Sequence, residues 1–145
     1  VRRDTLNREG KAMKRMYLKD LKIVEVIDEM DVPWLYTALD PDGRLWLVNL
    51  VSFIKGLPVW FAIVVSSARM AVLDAGTCDM RTAFSEPEDG CLFEIVQKTT
   101  CETCRLITDM AEAMPKLPLA GMKLRDTAET YLARDPDVSI TCLLE

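Results

Sequence analysis

The sequence predicts an α+β domain: an antiparallel sheet of about four to six strands packed against two to four short helices. Three observations carry that expectation. Short runs of branched and aromatic residues follow one another at turn-sized intervals, Asp40-Pro41-Asp42-Gly43 stands between two of them, and helical spacing of apolar residues is confined to short later stretches.

Leu21–Ile27, rich in branched residues, is the first predicted strand. Pro33 restrains the start of a second over Trp34–Leu39, and Asp40–Gly43 turns the chain into a third over Leu45–Val51. A turn at Lys55-Gly56 leads to Pro58–Val65, too continuously apolar for a strand with solvent on both sides, so one face is expected to pack against helices. Ser66 or Ser67 caps a short helix that Gly76 ends, and Thr77 or Asp79 starts another turn through Met80 and Phe84. Pro87 and Gly90 set off a strand over Cys91–Gln97. Thr99 or Thr100 is then expected to cap a helix over Cys101–Met114, on the spacing of Ile107, Met110, Ala111 and Met114. Pro115 and Pro118 interrupt it, Lys116–Met122 forms a loop, and a helix over Arg125–Ala133 and a strand over Val138–Leu144 complete the expectation.

Of the 145 residues half are hydrophobic and 28% charged, with six glycines and seven prolines, which excludes global disorder and fibrous architectures. The net charge of -5 hides an asymmetry: the first 22 residues hold eight basic side chains against three acidic, and the remainder ten against twenty. The organisation is therefore read as a basic arm over residues 1–20 and a single domain over 21–145. An acidic body is a poor surface for phosphate backbones, so nucleic acid is expected only through the arm. The basic start runs into Lys19, Asp20 and Lys22 where a secretory leader needs an apolar core, and the uncharged stretch Gly56–Ala68 is too short to span a bilayer. No membrane partner and a cytoplasmic location are expected.

The absence of histidine removes the commonest general base near neutral pH and every His-dependent triad or zinc site. No phosphate-binding glycine loop, dinucleotide fingerprint or calcium loop is present. Ser52-Phe53-Ile54-Lys55 fits S-x-x-K without the rest of that hydrolase pattern. The carboxylates Glu25, Asp28, Glu29 and Asp31, and Glu86, Glu88 and Asp89, read as solvated groups and not as catalytic pairs.

Cys101-Glu102-Thr103-Cys104 has the spacing of a redox dithiol, and at a helix start unpaired amides favour a thiolate. The same pair with Cys78 and Cys91 offers four sulfurs for a zinc-stabilised adaptor, although the spacing lacks two tight pairs. Five cysteines, counting Cys142, are an odd number, and ordinary reduced thiols are the simpler reading.

Val32-Pro33-Trp34-Leu35-Tyr36, Asp42-Gly43, Val64-Val65-Ser66, Arg69, Leu73, Asp79, Arg81, Ala83-Phe84 and Pro87-Glu88-Asp89-Gly90 together resemble an uncharacterised bacterial small-domain family over residues 21–97. The resemblance implies a compact α+β accessory domain and carries no catalytic constellation. The expected function is non-enzymatic binding of another protein, in a regulatory or accessory role, with no cofactor. Trp34, Tyr36 and Trp46 are the candidate aromatic anchor. Glu86, Glu88 and Asp89 are the carboxylates expected to steer a basic partner. The alternatives are thiol redox chemistry at Cys101 and Cys104, the zinc adaptor, and nucleic-acid contact through the arm.

Overall fold

The computed structural model describes residues 5–6, 12–13, 16–30 and 32–125. Thr5–Leu6 (β1) and Ala12–Met13 (β2) pair with each other as a two-stranded antiparallel ladder. After a 3-10 turn at Leu18–Asp20 come six strands, Lys22–Met30 (β3), Val32–Leu39 (β4), Leu45–Ile54 (β5), Leu57–Val64 (β6), Phe93–Gln97 (β7) and Glu102–Leu106 (β8). Each pairs antiparallel with its neighbour in sequence, so the sheet is an open meander. Helices Ser67–Asp74 (α1) and Met80–Ser85 (α2) lie between β6 and β7, and Met110–Ala113 (α3) follows β8. This is the α+β architecture the sequence predicts.

The two best-read turns close as their residues require. Gly43, at φ 82°, follows a turn in which its amide donates to the Asp40 carbonyl at 3.0 Å. Lys55 and Gly56 both take positive φ, 51° and 80°, between paired Ile54 and Leu57, the geometry whose twist matches that of its strands. Ser66 and Asp79 cap α1 and α2 by accepting from the amides of Arg69 and Thr82.

The register sends one cross-strand row, Tyr36, Val48, Ala62, Phe93 and Leu106, to one face of the sheet. The adjacent row, Leu35, Asn49, Phe61, Glu94 and Arg105, goes to the other. The central strands are buried on both faces, Trp34–Ala38, Trp46–Leu50 and Val59–Ile63 without interruption, which is why their runs lack polar alternation.

The sheet also coils. In a flat sheet five strand intervals would separate β3 from β8 by roughly 24 Å, yet the segment just before β3 bonds to the first residue of β8. The amides of Leu18 and Lys19 donate to the Glu102 carboxylate at 2.6 and 3.1 Å, so the segment leading into β3 lies along the start of β8. Met16 and Leu18 are buried in the same core as the strands.

The predicted helix over Cys101–Met114 is corrected. Its first part is β8, where Glu102, Cys104 and Leu106 alternate with the more exposed Thr103 and Arg105. Pairing with β7 supplies that strand with a ladder and a Glu94–Arg105 ion pair at 3.0 Å. Only Met110–Ala113 is helical, capped by Asp109 and not by Thr99 or Thr100. The strand expected over Val138–Leu144 lies outside the described residues, as does the helix expected over Arg125–Ala133 except for Arg125. That side chain bridges Glu25 at 2.9 Å and Asp74 at 2.7 Å.

Candidate functional site

Trp34, Tyr36 and Trp46 do not form a surface anchor. Their relative exposures are 5%, 7% and 1%. Tyr36 meets Trp60 edge-on at 5.9 Å between ring centroids, and Trp46 meets Phe93 likewise at 5.7 Å. The Trp46 indole donates to Asp40 at 2.9 Å. These rings build the core of a sheet covered on both faces, so the expected aromatic contact patch is a packing feature.

The acidic loop is exposed at Glu86, Glu88 and Asp89, but two of its three carboxylates already serve the fold. Glu88 accepts from the Ser66 amide at 2.8 Å and the Ser66 hydroxyl at 2.7 Å, steadying the cap of α1. Burial raises its carboxyl, but the two Ser66 donors and the Arg69 charge outweigh burial and hold it below the ordinary range. Asp89 accepts from the Cys91 amide at 2.9 Å, and desolvation of its carboxyl, only partly offset by that bond, leaves it above the ordinary range. The Glu86 side chain is the one left facing solvent without a bond among the described residues.

Cys101 and Cys104 are brought close in sequence only. Lys98 donates its amide to the Cys101 carbonyl at 2.8 Å, so Cys101 continues the extended course of β8. Three extended residues separate the two Cα atoms by roughly 10 Å, beyond the roughly 7 Å that a disulfide tolerates. Cys101 is exposed and Cys104 is buried beside Ile95 on the opposite face of the strand. The dithiol reading fails on that geometry. The four-sulfur zinc site is not assembled either: no group of three or more potential ligand side chains converges among the described residues.

What the fold does expose is an apolar edge. β3 is the terminal strand of the sheet, and Ile23, Val24 and Val26 are 48%, 57% and 39% exposed. Register shifts between Ile23 and Glu25 and between Val26 and Asp28 leave Val24 and Ile27 outside the pairing with β4. Such bulges twist an edge away from indiscriminate ladder extension and re-aim side chains outward. Exposed Glu25 and Glu29 interleave with these apolar groups, and exposed Leu39 stands opposite Lys22 at the start of the strand.

A sequence match to DUF6575, a family of unknown function, covers residues 12–122. The chain belongs to that family. No curated protein and no solved structure matches it. The DUF6575 region takes in the whole six-stranded sheet and the three helices, a longer span than the 21–97 carrying the sequence resemblance. The fold of this chain thus places exposed apolar groups on β3, which the sequence reading treats as an ordinary strand. The available signal was the pair of branched doublets, Ile23-Val24 and Val26-Ile27, which break the period-two alternation of a strand with one buried face. Among the described residues no helix is long and apolar enough to cross a membrane.

Proposed function

We propose that this chain is a non-catalytic protein-binding domain with an accessory or regulatory role, acting through the outer edge of β3. The observation that carries the reading is the exposure of Ile23, Val24 and Val26 on a terminal strand whose bulges turn side chains outward. Burying a branched aliphatic side chain fully is worth about 1.5–3 kcal/mol, so three together provide a useful contact core. Glu29 stands exposed beside them, and an acidic body behind favours a partner with basic and aliphatic side chains. Trp34, Tyr36 and Trp46 are buried in the core and take no part in this surface. The odd number of cysteines in the sequence fits a reducing compartment such as a bacterial cytoplasm.

The test is quantitative enrichment by the full chain from extracts of the cells that make it, wild type against a Val24→Lys/Val26→Lys variant. Both side chains are already exposed, so circular dichroism is expected to match. A partner held by this edge is retained at least about tenfold less by the variant, and its retention weakens with added salt. Equal retention by the two proteins, or substrate turnover by the purified chain, overturns the reading.

A further inference from the structure

We propose that a second site, a cleft of about 490 Å3 at the β7–β8 turn, binds a small organic phosphate monoester. The cleft is separate from β3 and the inference does not rest on the protein-binding reading. It is lined by Lys19, Leu57, Pro58 and the run Gln97–Glu102, and its volume lies within the range of small-molecule sites.

The lining presents donors. Among the described residues the side chains of Lys98, Thr99 and Thr100 make no hydrogen bond or ion pair, and the Lys19 ammonium lies over the Tyr17 ring, 5.8 Å from its centroid. The Trp60 indole can only donate, and it meets the Gln97 side-chain oxygen at 2.8 Å. The Gln97 amide is thereby fixed with its NH2 group left to donate elsewhere. Glu102 is the one carboxylate of the lining, and each of its oxygens already accepts a backbone amide, from Leu18 and Lys19. Two lysines, two adjacent threonines and a glutamine amide thus line the cleft beside a single carboxylate, whose charge is offset in part by its two backbone donors and outnumbered by the two ammonium groups.

That inventory favours phosphate over carboxylate. A monoester dianion carries two charges and three terminal oxygens, matching two lysines and several further donors, whereas a carboxylate supplies one charge and two oxygens. Leu57 and Pro58 offer an apolar wall for the organic part of the ligand. Placing such a site on an acidic body is selective: distant carboxylates discourage polyanions such as nucleic acid, while the local lysines act at contact distance.

The experiment titrates the full chain at fixed ionic strength with phenyl phosphate, benzoate and inorganic phosphate, following backbone amide resonances and the rate of Cys101 alkylation by peptide mapping. Phenyl phosphate is expected to shift the amides of Lys98–Glu102 and to slow Cys101 alkylation, more strongly than either control. Its affinity is expected to fall about tenfold in a Lys19→Gln/Lys98→Gln variant. It should also weaken as pH drops below about 6, where the dianion gains a proton while lysine stays charged. Binding of benzoate as tight as phenyl phosphate, undiminished binding by the double variant, or no shift at millimolar phenyl phosphate overturns the proposal. Shifts produced equally by inorganic phosphate refute the role given to Leu57 and Pro58.

Discussion

Asp40 shows how much one side chain organises. Its Oδ1 accepts the amides of Asp42 and Arg44, and its Oδ2 accepts the Arg44 guanidinium and the Trp46 indole, all at 2.9 Å. One carboxylate therefore closes the β4–β5 turn and satisfies the only polar atom of the most deeply packed tryptophan. Asp40→Ala leaves that indole donor buried without a partner, and we expect a loss of about 3 kcal/mol in urea unfolding. Burial raises the Asp40 carboxyl, but the Trp46 bond and the amide and guanidinium of Arg44 outweigh it and hold it below the ordinary range. A depressed folded value stabilises the fold above the unfolded value and stops doing so as pH falls through the folded one. The difference between wild type and Asp40→Ala should accordingly shrink in acid. The turn itself was legible from Asp40-Pro41-Asp42-Gly43, whereas the fourfold role of the carboxylate was not, because it depends on where the Trp46 ring comes to rest.

At the scale of elements, strands with turn chemistry at both ends were readable, and the one serious misreading was β8. Ile107, Met110, Ala111 and Met114 do recur at helical spacing, but only Met110–Ala113 forms a helix. The competing signal, alternation through Cys104 and Leu106, becomes decisive only because β7 needs a partner on its outer side. Register and not local propensity settled that stretch, and with it the fate of the Cys101–Cys104 pair. The candidate surface was misread for a related reason: the aromatic residues lie on runs apolar enough for two buried faces, while β3 looked ordinary. Helix α1 is held by a relay in which the Ser66 hydroxyl accepts from Arg69 and donates to Glu88. Ser66→Ala removes both bonds, and we expect about 1 kcal/mol of destabilisation with faster amide exchange confined to the first turn of α1. An unchanged exchange pattern would show that the Glu88 bond to the Ser66 amide caps the helix unaided.

For the whole molecule, coiling of the sheet places the Tyr36 phenol where burial first, and the Glu102 charge second, push its ionisation well above the ordinary tyrosine range. The sign follows from linkage. A phenol raised on folding adds stability below its unfolded value of about 10, and that contribution is lost as pH climbs above it, because only the unfolded chain ionises freely. The acid side runs the other way: Asp40, Asp79, Glu88 and Glu94 are all depressed, in each case because hydrogen-bond donors and nearby charges outweigh burial. Their joint contribution disappears as pH falls below about 4. Asp89, raised by desolvation, opposes this weakly. The fold should therefore hold a broad plateau of stability with separate acid and alkaline limits, each tied to particular groups. Tyr36→Phe isolates the alkaline limit, since it keeps the ring against Trp60 and removes the ionisable hydroxyl. Unfolding curves from pH 7 to 11 should show the wild type losing stability above about pH 10 and the variant losing distinctly less. If the two fall together, the alkaline limit does not belong to a phenol brought by coiling of the sheet within the field of Glu102.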